Sequence, residues 1–168
     1  MEHLWSPWRS KYISTFKDDD NRKEGNCFIC DAINANEFND DNLVVFKNDL
    51  LIVLLNKYPY NAGHILIAPT EHIGSIEGLK IEVMNEINIY IKHSIAILDK
   101  LYKPQGYNIG VNIGRVAGAG LPDHIHYHIV PRWAGDTNFV TTISDIKVIS
   151  EQIEEARINI ANEFEKIR

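Results

Sequence analysis

From Ile76 to Tyr102, the apolar residues Val83, Met84, Ile87, Ile91, Ile95, Leu98 and Leu101 recur at three- and four-residue steps. That spacing puts them on one stripe of a single long helix. Pro104 and Gly106 mark its end. Ile153, Ala156, Ile160, Phe164 and Ile167 repeat the pattern, predicting a C-terminal helix over about 150–168, and a short helix is expected after the cysteines through Asn34. Between these lie shorter apolar runs. Val44 to Lys47 and Leu51 to Leu55 flank Asn48-Asp49, a hairpin signal, and Gly63-His64 opens Ile65 to Ala68, which Pro69 stops. Tyr107 to Ile113 and His124 to Pro131 are the fourth and fifth strand candidates. Five strands joined mostly by short turns, with one long helix inserted and another at the end, predict an α+β fold. Its expected form is an antiparallel five-stranded sheet with helices on one face.

Composition narrows the picture. The chain has 168 residues, 45% hydrophobic and 24% charged, which suits one domain over 1–168. An aromatic arm, about 1–16, carries Trp5 and Trp8 around Pro7. A charged stretch, 17–25, follows it as a solvated loop. The segment Gly135 to Ser144 is too short, and too apolar at Phe139 and Val140, to separate domains. A formal net charge of -6 and the lack of a basic run argue against a nucleic-acid partner. The longest apolar runs fall far short of the roughly 20 residues of a membrane span, and Met1 to Ser10 does not read as a leader. The expectation is a cytoplasmic protein without a membrane partner. Its two cysteines, Cys27 and Cys30, suggest a metal or redox pair rather than a disulfide framework.

The sharpest chemical signal is His124-Ile125-His126-Tyr127-His128-Ile129-Val130. Side chains on a strand alternate, so the three imidazoles are expected to share one face. Neutral imidazole is a nucleophile near pH 7 when one nitrogen is free and the other is held by a hydrogen bond, which suits phosphoryl or nucleotidyl transfer. His126, with a neighbour on each side, is the best-placed nucleophile. The run Gly114-Arg115-Val116-Ala117-Gly118-Ala119-Gly120 has small residues through which backbone N–H groups approach anionic oxygens, although a flexible turn is the simpler reading. No Gly-Lys-Ser/Thr follows, so it is not a Walker loop. His64 reads as a strand-entry histidine bonded to a neighbour, and Asp136 as a turn residue.

His124 to Val130 resembles the signature of the histidine triad (HIT) superfamily of nucleotide hydrolases and transferases. Four further segments extend the likeness: Leu4 to Arg9, Cys27 to Cys30, Asn56 to His64, and Pro131 to Phe139. Together they resemble the branch that contains diadenosine tetraphosphate phosphorylases and Fhit-like hydrolases. The resemblance implies a HIT-like half-barrel sheet and a homodimer joined through sheet edges. It also implies a small-molecule nucleotide substrate, with diadenosine tetraphosphate the first candidate. By the same likeness, His126 attacks the α-phosphate to form a nucleotidyl-histidine that phosphate or water resolves, and His128 hydrogen-bonds the phosphate or bridging oxygen. Asn56 would hold a ribose hydroxyl, Asn112 would sit beside the phosphates, and Gly118 and Gly120 would line them. Cys27, Cys30, His72 and His124 would hold a structural zinc in a closed tetrahedral set, with no organic cofactor implied.

One departure stands out. Where several branches carry Gln or Ser/Thr to meet the leaving oxygen, this chain has Gly120-Leu121-Pro122-Asp123. That gap keeps open a non-catalytic, nucleotide-binding regulatory module. A third reading has all three triad histidines on one catalytic zinc.

Overall fold

A computed structural model describes residues 27–136, 149 and 151–167. The aromatic arm, the charged loop behind it and most of the Gly135 to Ser144 segment lie outside those residues. The elements run α1 (Phe28–Asn34), β1 (Val44–Lys47), β2 (Leu51–Leu55), β3 (Ile65–Pro69), α2 (Ile81–Tyr102), β4 (Gly106–Val111), a 3₁₀ turn (Arg115–Ala117), β5 (Tyr127–Arg132) and α3 (Ile153–Glu165). The strands form one antiparallel sheet in the order β1-β2-β3-β5-β4.

The β1–β2 hairpin closes through Asn48, whose Oδ1 accepts the N–H groups of Leu50 and Leu51, each at 2.9 Å. Every residue of β2 and β3 is buried. This is why both read as continuous apolar runs instead of alternating ones: helices cover both faces there. On one face Ile87, Ile97 and Leu98 of α2 and Ala156, Ile160 and Phe164 of α3 pack on Val53, Leu55, Ile65, Ile67 and Ile129. On the other, Ile29 and Ala32 of α1 meet Val44, Ile52, Leu54, Leu66 and Ala68. Helices thus cover both faces, where the sequence suggested one.

Several boundaries differ from the sequence reading. The long helix begins at Ile81, because Ile76 to Lys80 forms a turn in which Leu79 N–H donates to the Ile76 carbonyl. It ends where Lys103 enters the left-handed region (φ 47°) ahead of Pro104. β4 stops at Val111, short of Ile113. β5 begins at Tyr127, so His124 and His126 precede the strand. Their run is held instead by a loop: Ile125 N–H donates to the Ile73 carbonyl at 2.7 Å. A Cβ on Gly74 would lie 2.7 Å from the Pro122 carbonyl oxygen, so a side chain there would push the two segments apart. Among the described residues no helix is long and apolar enough to cross a membrane.

Candidate functional site

The face of the sheet that carries the histidines follows from register. Gly110 pairs with His128 and Asn108 with Val130, while Leu66 pairs with His128 from the other side. Cross-strand partners share a face. His64, two residues before Leu66, therefore projects beside His128.

Hydrogen bonds set the proton position on four imidazoles. His124 donates from Nε2 to the Pro69 carbonyl at 2.9 Å, leaving the Nδ1 lone pair directed at the cysteines. His126 donates from Nδ1 to the His124 carbonyl at 2.8 Å, which leaves its Nε2 as a lone pair. His64 receives the Tyr60 N–H at Nδ1 (3.1 Å), with the Asn56 amide 3.3 Å from the same nitrogen. Its proton must therefore sit on Nε2, which donates to His128 Nδ1 at 3.0 Å. His128 in turn carries its proton on Nε2. That nitrogen is buried and has no hydrogen-bond partner among the described residues. An orphaned buried donor costs about 1–3 kcal/mol, recovered when an acceptor arrives.

Burial keeps these rings neutral. It lowers the pKa of His126. It pushes His128 down to about 4, helped by the neighbouring His126, and His64 down to about 3, helped by His128 and His126. The rings of His126 and His128 lie 5.0 Å apart, edge to face. A lone pair on one imidazole thus neighbours an N–H on the next, the complementary pair that attack on a phosphate ester requires.

His124 belongs to a second cluster. Cys27 Sγ lies 3.2 Å from His124 Nδ1, Cys30 Sγ 3.5 Å from the same atom, and Cys30 Sγ 3.1 Å from His72 Nδ1. One donor atom from each of the four residues falls within 4.8 Å of the others. Cys27 caps α1, accepting the Cys30 N–H at its Sγ, so one helical turn brings both sulfurs to one side. Burial, then the hydrogen bond and charge of Cys27, push the Cys30 thiol up to about 11. Two thiols and two imidazole lone pairs, one of them fixed by a carbonyl behind it, match a closed tetrahedral zinc set with its outer support. The metal-capable group among the described residues contains His124 but neither His126 nor His128. The reading with all three triad histidines on one metal fails on that geometry.

The other sequence-selected residues are less centrally placed. Asn56 forms a turn, its Oδ1 accepting Tyr58 N–H at 2.9 Å, with its amide beside His64. Asn112 lines a cavity with His128, and its amide reaches the Gly118 carbonyl at 3.4 Å. In the glycine-rich loop, Ala117 and Ala119 donate to the Gly114 carbonyl and Gly118 to the Arg115 carbonyl. Those three N–H groups serve the loop itself. Gly120 contributes no side chain and is not among the residues lining the cavity. Asp136 does close a turn, its N–H donating to the Trp133 carbonyl. Its carboxylate also grips Arg132 with two bonds of 2.6 and 2.9 Å, and Arg132 holds it well below the usual carboxylate range. His64 is bonded to its neighbours, as the sequence reading expected; that one of them is His128, which brings His64 into the site, follows from strand register and carried no signal in the sequence.

Comparison with known proteins places the chain in a family. The HIT domain matches residues 37–135. An AP-4-A phosphorylase of Mycobacterium tuberculosis is 32% identical over 98% of this chain and 85% of its own. An asymmetrical bis(5'-nucleosyl)-tetraphosphatase of Schizosaccharomyces pombe is 24% identical over 71% of this chain and 62% of its own. The fold of a hypothetical histidine triad nucleotide-binding protein from Sulfolobus tokodaii strain 7 superposes with a TM-score of 0.67 at 25% identity, covering 84% of this chain and 93% of that one. With more than half its length matched by the domain and all three histidines in place, this chain belongs to the HIT family.

Proposed function

We propose that this protein is an enzyme that cleaves dinucleoside polyphosphates, diadenosine tetraphosphate first among them, through a nucleotidyl group held on His126. The observation that carries the reading is the fixed tautomer pair: a bare Nε2 on His126 beside a proton-bearing Nε2 on His128. In the first step His126 Nε2 attacks the α-phosphorus. The bond from phosphorus to the bridging oxygen breaks, and the departing polyphosphate leaves as an anion that needs no proton. The His126 ring becomes cationic, and its Nδ1–H bond to the His124 carbonyl strengthens. His128 Nε2–H donates to the phosphate or the bridging oxygen without giving up its proton, since the N–H of a neutral imidazole is too weak an acid to ionise at neutral pH. Phosphate or water then attacks the α-phosphorus, releasing ADP or AMP and restoring His126. Asn56 would hold the ribose and Asn112 the phosphates, with Gly118 and Gly120 beside them.

Cys27, Cys30, His72 and His124 would hold a structural zinc, which supplies a rigid cross-link and no open coordination position. His124 then stays in place as the acceptor for His126. The exposed edge of β4 and the apolar residues near it suit a homodimer, and a cytoplasmic location fits the paired free thiols.

The AP-4-A phosphorylase relative favours phosphate as the acceptor. Incubation with diadenosine tetraphosphate, with and without inorganic phosphate, followed by ion-exchange separation, tests this. ATP plus ADP appearing only with phosphate is the expected result. ATP plus AMP regardless of phosphate would make the protein an asymmetrical hydrolase, and tight binding without products would favour the regulatory module.

A further inference from the structure

A cavity of about 420 Å³ opens beside the imidazole pair, walled by Tyr60, Asn108, Asn112, His128, Val130 and Arg132. Its volume falls in the range of small-ligand sites. His128, Val130 and Arg132 alternate along one face of β5, so the floor runs roughly 13 Å from the first to the last at about 3.3 Å per residue. That length exceeds a phosphate group and suits a nucleoside phosphate. Asn56, proposed above to hold a ribose, does not line it.

Tyr60 forms the aromatic wall. Its ring lies against His64, with centroids 4.9 Å apart, and nearly parallel to His128 at 6.2 Å and 18°. Even so, the residue is 48% exposed. Its neighbours anchor it: its own N–H is bonded to His64, and the buried Asn61 amide donates to the Pro131 carbonyl at 2.8 Å and to Asp136 at 2.7 Å. Arg132 spends its guanidinium on Asp136 and Asn108, so the described residues at the far end of the cavity are polar and offer no spare cation. A held aromatic ring over a long neutral groove is shaped for a base and sugar more than for further phosphates.

We propose that this cavity receives the departing nucleoside end of a dinucleoside polyphosphate, with Tyr60 as the platform on which the departing base stacks. The inference rests on the proposed function, in the form in which His128 donates to the bridging oxygen on the departing side. The test compares diadenosine tetraphosphate with adenosine 5'-tetraphosphate, which differ in the second adenosine, in wild type, Tyr60→Phe and Tyr60→Leu. Tyr60→Leu keeps apolar cover over the imidazoles and removes the π face. It should lower the ratio of kcat/KM for the two substrates about ten-fold, the effect of one lost base–aromatic stack, and Tyr60→Phe should keep the wild-type ratio. Thermal unfolding confirms that each variant is folded. An unchanged ratio in Tyr60→Leu, whether both rates fall together or neither falls, would overturn the proposal, as would an equal loss of the ratio in Tyr60→Phe. Wild-type protein inactive on both substrates would instead overturn the reading of the whole site.

Discussion

His64→Ala puts the tautomer argument at risk most directly. His64 touches no reacting atom in the proposed step and acts as a positioning residue for His128. Its ring is 1% exposed, and removing it strands the His128 Nδ1 acceptor together with the Tyr60 N–H and the Asn56 amide. One buried neutral hydrogen bond left unmade is worth about 1–3 kcal/mol. If that energy holds His128 in its Nε2–H form, its loss should lower kcat about 10–100-fold, at about 1.4 kcal/mol per factor of ten. His64→Gln extends an amide toward the position of the ring Nε2 and should recover part of the loss. The assay is kcat at saturating diadenosine tetraphosphate, paired with nitrogen-15 NMR of the imidazoles, which distinguishes the two neutral tautomers. A folded His64→Ala protein with wild-type kcat, or with His128 still in the Nε2–H form, would refute the reasoning.

Four further outcomes are expected. His126→Ala should lower turnover by at least about 10³-fold with little change in melting temperature, measured by product release and thermal unfolding. Metal analysis should find one zinc per chain, and chelation should lower the melting temperature; Cys30→Ser should reduce zinc content with it. His64 and His128 titrate near 3 and 4 when folded, against about 6.5 unfolded, so the unfolded chain takes up protons first. Their contribution to stability is therefore full above about pH 6.5 and is lost as pH falls toward 4 and then 3, by up to about 1.4 kcal/mol per pH unit for each ring. Urea midpoints at pH 7.5 and pH 5 read that slope. Sedimentation should give a dimer at micromolar concentration, and a monomer would remove the assembly reading.

Much of this was legible in the sequence because its signals are local. The stripe from Val83 to Leu101, the hairpin at Asn48 and the two-residue period of the histidines each state their geometry within a few residues. The start of β5 was not legible: the alternating histidines read as strand, but His124 lies in a bend and the segment is held by the Ile125 N–H bond to the Ile73 carbonyl, and pairing across some fifty positions leaves no local mark. The same holds for α1. Its apolar residues Ile29 and Ala32 do not reveal that they cover the second face of the sheet. In the site, the spacing of Cys27 and Cys30 suggested a metal or redox pair on its own, while His72 and His124 came only from the family likeness. The wiring of His64 to His128 depends on strand register, which no single segment encodes.

The neutral imidazoles also bear on how a polyanion reaches the site. His64, His126 and His128 carry no charge at neutral pH, and Arg132, the one cation among the described residues lining the cavity, is cancelled by Asp136. Around them the chain as a whole bears a charge of -6. Among the described residues lining the cavity no uncompensated cation draws in a polyphosphate from a distance, and the net negative charge of the chain opposes its approach. Capture therefore depends on diffusion and short-range fit. Added salt or a magnesium ion on the substrate, by screening that repulsion, speeds the encounter, the reverse of what a cation-lined funnel shows.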